Sequence, residues 1–554
     1  MTTPNPALVT QRAAQAMPRT ALLLLCLAWV VPGVFGRDPW RNADVTAAGI
    51  MKAMADGRIS WLAPSLGGVP VDVALLPHWI GAAFIRGLSP AVDPLLAARL
   101  PFALLLALTL VCTWYAAFHL ARTSAAQPVA FAFGGEADPI DYARATADSA
   151  LLALIATLGL LQMGHETTPE LVQLFATSLL LWSLAASPYR RLRARLAVLA
   201  ALPMLAASGA PSIALAFGLL GTLICWRSAY DQARSFAIWV AVATLGATAV
   251  GWLSGAWAWR LAFEPELEQV AQIARQWAWF TWPAGPLALW TLWRWRRQLL
   301  NRHVSVPFAV VLVSMASGVW MGGSDRALLL ALPGLALLAA FALPTLRRSA
   351  SAAVDWFSML FFTAGVIFIW AMYIAMQTGT PSRWAANVAK LAPGFEPHFS
   401  ALPLVLAAAG TVAWLALVRW RTGRHQQAIW KSLVIPAGGV ALCWLLLMTL
   451  WLPLLDFARS YRAVVDRVDV HVADARCIAA KGFSPAAVAS FELMGSHPID
   501  ARPEAHRSGS CDALVHISRR RTAELFDGWE LVAALRRPTD RTELVSVYRR
   551  VDRR

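Results

Sequence analysis

Two aspartates flank an arginine at the start of the stretch from Arg37 to Trp79, the one long polar interruption in the N-terminal fifth of the chain. These residues are Asp38, Arg41 and Asp44. A carboxylate can accept the proton of an attacking group, and a guanidinium can stabilise a departing phosphate. This pattern suits group transfer from a phosphate-linked donor. We therefore expect Asp44 and Asp38 to be catalytic and Arg41 to bind substrate.

A structural explanation of the same residues stays open. Asp38-Pro39 can start a turn, and Asp44 can cap a helix that runs over Val45–Asp56. For Asp38 neither explanation is preferred, whereas for Asp44 the catalytic one is.

Further polar candidates lie at the ends of apolar runs. His165 and Glu166 are candidates to bind substrate or a divalent metal ion, the one cofactor that the sequence suggests. Arg326 follows Asp325 and is a candidate either to hold phosphate or to form a local ion pair. His78, beside Trp79, is interpreted as a membrane-interface residue rather than a ligand.

The composition predicts a polytopic helical membrane protein. The chain is 58% hydrophobic and 14% charged, whereas soluble domains average roughly 45–50% and 25%. The net charge is +16, but the basic residues form short clusters between apolar runs. Such clusters are typical of cytoplasmic loops. We therefore expect membrane lipids as partners and no binding of nucleic acid.

About thirteen apolar runs meet the requirement for crossing a bilayer, which is roughly 20 mostly apolar residues. The runs are Thr20–Gly36, Leu95–Leu120, Ala147–Gln162, Glu170–Ala186, Leu196–Ala207, Pro211–Trp226, Phe236–Ala256, Trp277–Trp293, Val304–Met321, Ala327–Leu346, Trp356–Met376, Ala401–Val418 and Leu433–Leu454. A cytoplasmic N-terminus places every dense basic cluster inside. The first loop, residues 37–79, and the tail after Leu454 then lie in the periplasm, outside a bacterial inner membrane.

The chain divides into a transmembrane domain, residues 1–454, and a small C-terminal α/β domain, residues 455–554. The elements predicted for the second domain are a helix over Pro485–Met494 and strands over Ala513–Ile517, Trp529–Ala534 and Leu544–Tyr548. Cys477 and Cys511 are candidates for a disulfide if this domain is periplasmic. Two free thiols agree equally well with their spacing.

The first loop resembles that of the aminoarabinose lipid A transferases, which are C-type glycosyltransferases like the protein O-mannosyltransferases. The likeness rests on Gly36-Arg-Asp-Pro-Trp-Arg-Asn-Ala-Asp44, Trp61-Leu-Ala-Pro64 and Gly68-Val-Pro70. Asp44 matches the second acid of the family's acidic pair, and Ala43 replaces the first. Asp72-Val-Ala-Leu75 stands where the family has Glu-Lys-Pro-Pro, so Asp72 keeps the carboxylate while the lysine is absent. The resemblance thus implies that Asp72 binds substrate.

Weaker likenesses extend the resemblance over nearly the whole chain. They are Asp93-Pro-Leu-Leu-Ala-Ala-Arg99, Gly322-Gly-Ser-Asp-Arg326 and Leu452-Pro-Leu-Leu-Asp456. The family plan of thirteen spans with an outer C-terminus agrees with the pattern of apolar runs. The resemblance implies a glycosyltransferase that moves a sugar from a polyprenyl-phosphate donor to lipid A or another envelope lipid or glycan at the periplasmic face.

Two other functions stay open. A flippase or transporter of lipid-linked sugars predicts polar residues or broken helices near the middle of the membrane. Most of the apolar runs read as clean spans and the acids gather at the outer surface, which favours the enzyme. A non-catalytic relative that binds lipid-linked sugar agrees with Ala43 and with the missing lysine.

Overall fold

Helices form most of the molecule in a computed structural model that describes residues 5–40, 42–257, 267–423, 428–507, 510–520, 522–537 and 539–551. Among these residues, seven helices are long and apolar enough to cross a membrane. Every apolar run of the sequence coincides with one helix or with consecutive helices. The predicted polytopic helical architecture is thereby confirmed. The remaining runs are shorter or interrupted helices, so length alone does not make each of them a full span.

The first helices of the described chain are α1 (Arg19–Val30), α2 (Ala43–Ala55), α3 (Leu75–Leu88), α4 (Pro94–Ala121), α5 (Pro139–Ala156), α6 (Leu158–Met163), α7 (Pro169–Ala186), α8 (Arg191–Ala207), α9 (Pro211–Trp226), α10 (Asp231–Leu253) and α11 (Leu267–Phe280). They are followed by α12 (Ala284–Arg294), α13 (Arg302–Trp320), α14 (Asp325–Leu329), α15 (Leu332–Ala342), α16 (Arg348–Thr378), α17 (Ser382–Leu391), α18 (Ala401–Thr422), α19 (Lys431–Thr449), α20 (Leu452–Arg459), α21 (Arg462–Asp469) and α22 (Pro485–Met494). All residues of α15 are buried, which places it inside the bundle.

Two of the predicted spans are interrupted, and their breaks meet. Thr157 separates α5 from α6 in an extended conformation, and Trp282-Pro283 lies between α11 and α12. Proline has no N–H to continue the helical hydrogen bonding. The backbone N–H of Leu158, at the first break, donates to the carbonyl oxygen of Trp282, at the second, at 3.0 Å. Each break thus provides a hydrogen-bond partner for a backbone group that the other leaves without a helical hydrogen bond. These two spans are exceptions to the prediction that most spans are clean, because an extended residue and a proline each interrupt an apolar run without changing its hydropathy.

The C-terminal domain carries a small sheet, as predicted. The strands of the chain are β1 (Ser65–Leu66), β2 (Val69–Pro70), β3 (Ile478–Lys481), β4 (Ile499–Asp500), β5 (Ala513–Ser518), β6 (Trp529–Arg537) and β7 (Asp540–Arg550). The sheet order is β4-β3-β5-β7-β6, with β3 parallel to β4 and β5 and the other pairs antiparallel. The short strands β3 and β4 were not predicted.

The sheet domain packs directly on the first loop. The β1–β2 hairpin holds Gly67, whose N–H donates to Glu492 of α22 and whose carbonyl accepts from Ala501, both at 2.8 Å. Gly49 of α2 lies so close to Ala489 that an added Cβ would come within 2.8 Å of the alanine methyl group. We call the end of the bundle that carries this assembly the loop end.

Cys477 and Cys511 form a disulfide beside the adjacent strands β3 and β5, with Cα atoms 4.9 Å apart and a sequence separation of 34. We expect Cys511→Ser to lower the unfolding free energy of the sheet domain by about 4 kcal/mol, because the cross-link restricts the unfolded chain. Hydrogen exchange of β3 and β5 in the full-length protein measures the change. Cys443→Ser, which removes a free thiol in α19, is the control. Equal exchange in both variants would contradict the prediction.

Candidate functional site

A cavity of about 910 Å³ opens at the loop end. Apolar side chains from several helices line it, including Ile213 of α9, Val250 of α10 and Leu312 of α13. Its polar lining comes from helix ends and the first loop, and consists of Asp72, His78, Glu170, Gln173, Ser208, Ser212, Ser254, Ser317, Thr46 and Arg326. A largely apolar cleft with a few converging polar groups is the usual form of a small-molecule site. Here the mixed lining suits a ligand that has both an apolar part and a polar head.

Arg326 joins two glutamates at the polar part of this cavity. It lies in the first turn of α14, which Ser324 caps. Its guanidinium is 3.2 Å from the carboxylate of Glu170 and 3.1 Å from that of Glu166. The geometry thus brings Arg326 together with both Glu166 and Glu170, either of which could match the second acid that the family has in this short loop; Glu170 lies in the first turn of α7.

Glu166 is buried behind this ion pair. Its Oε1 accepts from the side-chain amide of Gln162 at 3.0 Å. Burial and the nearby charge of Asp44 raise the pKa of Glu166, against the opposing effect of Arg326. Its contacts position Arg326 from behind, whereas Glu170 faces the cavity.

Asp44 lies outside this cavity lining, although its neighbours Ala43 and Ala47 belong to it. The side chain is 1% exposed. Its Oδ1 accepts from the N–H and the hydroxyl group of Thr167 at 2.9 and 2.8 Å. Its Oδ2 accepts from the N–H of Trp40 and pairs with Arg37, both at 3.2 Å.

Charge and hydrogen bonding keep Asp44 ionised. Burial alone would raise its pKa, but Arg37, Arg99 and the hydrogen bonds from Thr167 outweigh burial and lower it. Arg37 is equally enclosed, since it also donates to the carbonyl oxygens of His165 and Gly33 at 2.7 and 3.2 Å. Asp44 and Arg37 therefore connect the first loop to the turn between α6 and α7.

His165 has no open ring nitrogen. Its Nδ1 lies 2.7 Å from the carbonyl oxygen of Leu161, and its Nε2 lies 2.9 Å from that of Trp29. Burial lowers its pKa to about 4. The described residues contain no group of three His, Cys, Asp or Glu side chains that could hold a metal ion. The predicted pair of His165 and Glu166 therefore does not fit a metal.

Asp38 lies in a second polar cluster, which joins the first loop to the C-terminal domain. Its carboxylate accepts two hydrogen bonds from Arg462 of α21, at 2.8 and 2.6 Å. Trp40 donates to Asp456 of α20 at 2.8 Å. Burial raises the pKa of Asp456 to about 6, with Trp40 lowering it and Asp38 raising it. Asp456 belongs to the motif Leu452-Pro-Leu-Leu-Asp456, but nothing in the sequence alone indicates a role for its carboxylate.

Asp72 differs from the other predicted acids because it is exposed at the cavity and forms no ion pair with any described residue. Arg41 lies outside the described residues. His78 lines the cavity and is only 2% exposed, so its interpretation as an interface residue was wrong. The sequence offered one signal for its burial, the apolar run Leu75–Leu88 that forms α3.

No protein-family model and no curated protein matches the chain. Solved structures do match it. The crystal structure of ArnT from Cupriavidus metallidurans in the apo state aligns with a TM-score of 0.61 and 13% identity, over 95% of this chain and 97% of that one. The structure of the same protein bound to undecaprenyl phosphate aligns with a TM-score of 0.59 and 14% identity over the same shares of the two chains. The likeness covers the bundle and the C-terminal domain, and the chain therefore has the fold of ArnT, as the resemblance of its first loop to the aminoarabinose lipid A transferases predicts.

Proposed function

We propose that the protein is a glycosyltransferase of the inner membrane. It moves a sugar from a polyprenyl-phosphate donor to lipid A or another envelope lipid or glycan, with the loop end in the periplasm. The observation that carries the proposal is the cavity, whose apolar part lies between membrane helices and whose polar part holds carboxylates and a guanidinium. The ArnT structure bound to undecaprenyl phosphate supports the donor class.

The cavity residues suggest how transfer proceeds. A hydroxyl or amino group of the acceptor attacks the anomeric carbon of the sugar, and the bond from that carbon to the phosphate oxygen breaks. The bonding electrons stay on the polyprenyl phosphate, whose growing charge Arg326 stabilises. Asp72 accepts the proton of the acceptor, because it is the lining carboxylate that no described cation engages.

Asp44, the base that the sequence alone favours, has a positioning role in this mechanism. Four donor groups on Thr167, Trp40 and Arg37 engage its carboxylate and leave no free oxygen for an acceptor. Asp38 is likewise engaged by Arg462. Both aspartates hold the first loop so that Asp72 and α3 face the cavity.

The meeting breaks at Thr157 and Trp282 favour a second candidate, a flippase for lipid-linked sugars. Their mutual hydrogen bond gives them a structural explanation, and the described carboxylates of the candidate site lie at the loop end rather than along the helices. Purified protein in liposomes that contain polyprenyl-phosphate sugar and lipid A separates the candidates. The enzyme forms glycosylated acceptor. A flippase moves the donor between leaflets without product, and a non-catalytic binder retains donor and does neither.

A further inference from the structure

The amino end of α3 presents a histidine to the cavity. We propose that His78 and the first N–H groups of α3 bind the phosphate of the polyprenyl ligand, and that His78 is protonated in the complex. This inference rests on the proposed function, since it assigns the phosphate contact in the same cavity.

His78 has one nitrogen committed and one free. Its Nδ1 is 2.6 Å from the carbonyl oxygen of Ala74, to which it donates. That bond fixes the neutral tautomer and leaves a lone pair on Nε2. No described residue forms a hydrogen bond to Nε2. The ring lines the cavity, although only 2% of the residue is exposed. Nε2 is thus open and can accept, or once protonated donate, a hydrogen bond to a ligand in the cavity.

The start of α3 provides further donors at the same place. Ala74, Leu75 and Leu76 line the cavity, and no side chain caps the helix. The first N–H groups of a helix lack partners within it and carry the positive end of its dipole. Helix starts of this kind bind phosphate groups. Leu75 and Leu76, whose N–H groups start the helix, and His78 therefore border the same cavity, while Pro77 between them has no N–H.

The charges around the cavity explain why a further cation is needed. Arg326 is the one described arginine or lysine in the lining, and it already pairs with Glu166 and Glu170. Asp72 adds another negative charge. A phosphate that enters such a lining is repelled unless a positive charge develops beside it. Protonation of His78 supplies that charge.

The contribution of His78 to phosphate affinity depends on pH in one direction, since it grows as the pH falls. Burial lowers the pKa of His78, while its bond to Ala74 and the charge of Glu170 raise it, and burial prevails. The charged groups that share the cavity with the ring are Asp72 from the first loop, Glu170 from α7 and Arg326 from α14. Bound phosphate stabilises the imidazolium and raises its pKa. Binding therefore takes up a proton, and the contribution of His78 to affinity grows as pH falls toward the pKa of the free ring.

Calorimetric titration of the full-length protein with undecaprenyl phosphate tests the proposal. Titrations in buffers of different ionisation enthalpy give the number of protons taken up per ligand bound. They are carried out about one pH unit below and about one pH unit above pH 7. His78→Gln keeps a donor but cannot titrate, and His78→Phe removes the donor. We expect His78→Gln to lose the proton uptake of the ring, and His78→Phe to lose about tenfold or more in affinity on the acidic side. His398→Gln, at an exposed histidine of the α17–α18 connection, should behave like the wild type.

Ligand controls separate head-group from chain binding. Undecaprenol, which lacks phosphate, should bind without proton uptake and equally well to all variants. Inorganic phosphate should compete with the head group more strongly in the wild type than in His78→Phe. If phosphate competes but the polyprenyl chain adds nothing to affinity, the site binds free phosphate rather than a lipid phosphate.

The outcomes distinguish this inference from the proposed function. Wild-type affinity and proton uptake in both variants, together with sugar transfer by the wild type, would overturn the role of His78 alone. Failure of the wild type to bind undecaprenyl phosphate would overturn both. An unfolding temperature equal to that of the wild type shows that a variant is folded, and it is measured for each of the two variants separately.

Discussion

Asp72→Asn is expected to lower the rate of sugar transfer by about 10²–10⁴-fold, which is the usual contribution of a positioned general base. Asparagine keeps the size of the side chain but cannot accept the acceptor's proton. Donor affinity should not fall, since Asp72 forms no ion pair with any described residue and its replacement removes a negative charge from the cavity that would hold the phosphate. Single-turnover transfer with preloaded donor measures the chemical step separately from binding.

Asp56→Asn is the matched control for this variant. Asp56 lies in the same loop at the end of α2, where it is partly exposed and pairs with Lys52 and Arg58. Exposed pairs of this kind contribute about 0–1 kcal/mol, so activity and stability should hardly change. An Asp72→Asn variant that transfers sugar at the wild-type rate would remove Asp72 as the base and direct attention to Glu170.

Asp44→Asn is expected to act through stability, with a loss of about 3–5 kcal/mol in unfolding free energy. The change leaves Arg37 buried without its counter-charge, because both side chains are almost fully enclosed. The remaining amide can keep only part of the hydrogen bonding with Thr167 and Trp40. Thermal unfolding in detergent, followed through cleavage of the first loop by a protease, measures the loss.

The double variant Arg37→Gln/Asp44→Asn tests the cause. If the unpaired charge dominates, the double variant is more stable than Asp44→Asn alone, and the two substitutions are strongly non-additive. If instead Asp44→Asn folds with wild-type stability, binds donor and transfers no sugar, then Asp44 is the base, as the sequence alone suggested, and the positioning role is wrong.

The membrane architecture could be predicted from the sequence because hydropathy reports directly on burial in lipid. The breaks could not, since Thr157 and Pro283 act on backbone hydrogen bonding rather than on hydropathy. The four predicted elements of the C-terminal domain coincide with α22, β5, β6 and β7. Strand β4 has two residues, which is too short to show an alternating pattern.

The candidate site was harder to predict because its members meet only in the folded chain. The first loop drew attention to Asp44, but its main partner across the site, Thr167, is far away in sequence. Glu166, Glu170 and Arg326 were each visible at the end of an apolar run, whereas their mutual pairing depends on where α7 and α14 lie. His78 was misassigned because the helix that buries it was taken for the end of a loop.

The fold is shared with ArnT although few residues are identical. An identity of 13% is enough for the same arrangement over 95% of the chain. The acids of the first loop and the hairpin that docks on the C-terminal domain lie at the loop end, where the two parts of the molecule contact each other. Ala43 and Val73, where the first loop departs from the family pattern, both line the cavity.

The most direct test is transfer of radiolabelled sugar from polyprenyl-phosphate donors to envelope lipid, in membranes that contain wild-type, Asp72→Asn or Asp56→Asn protein at equal levels. We expect labelled acceptor with the wild type and with Asp56→Asn, and a loss of about 10²-fold or more with Asp72→Asn, with the donor still bound. Donor binding by the wild type without transfer to any acceptor would contradict the enzyme and indicate the non-catalytic binder.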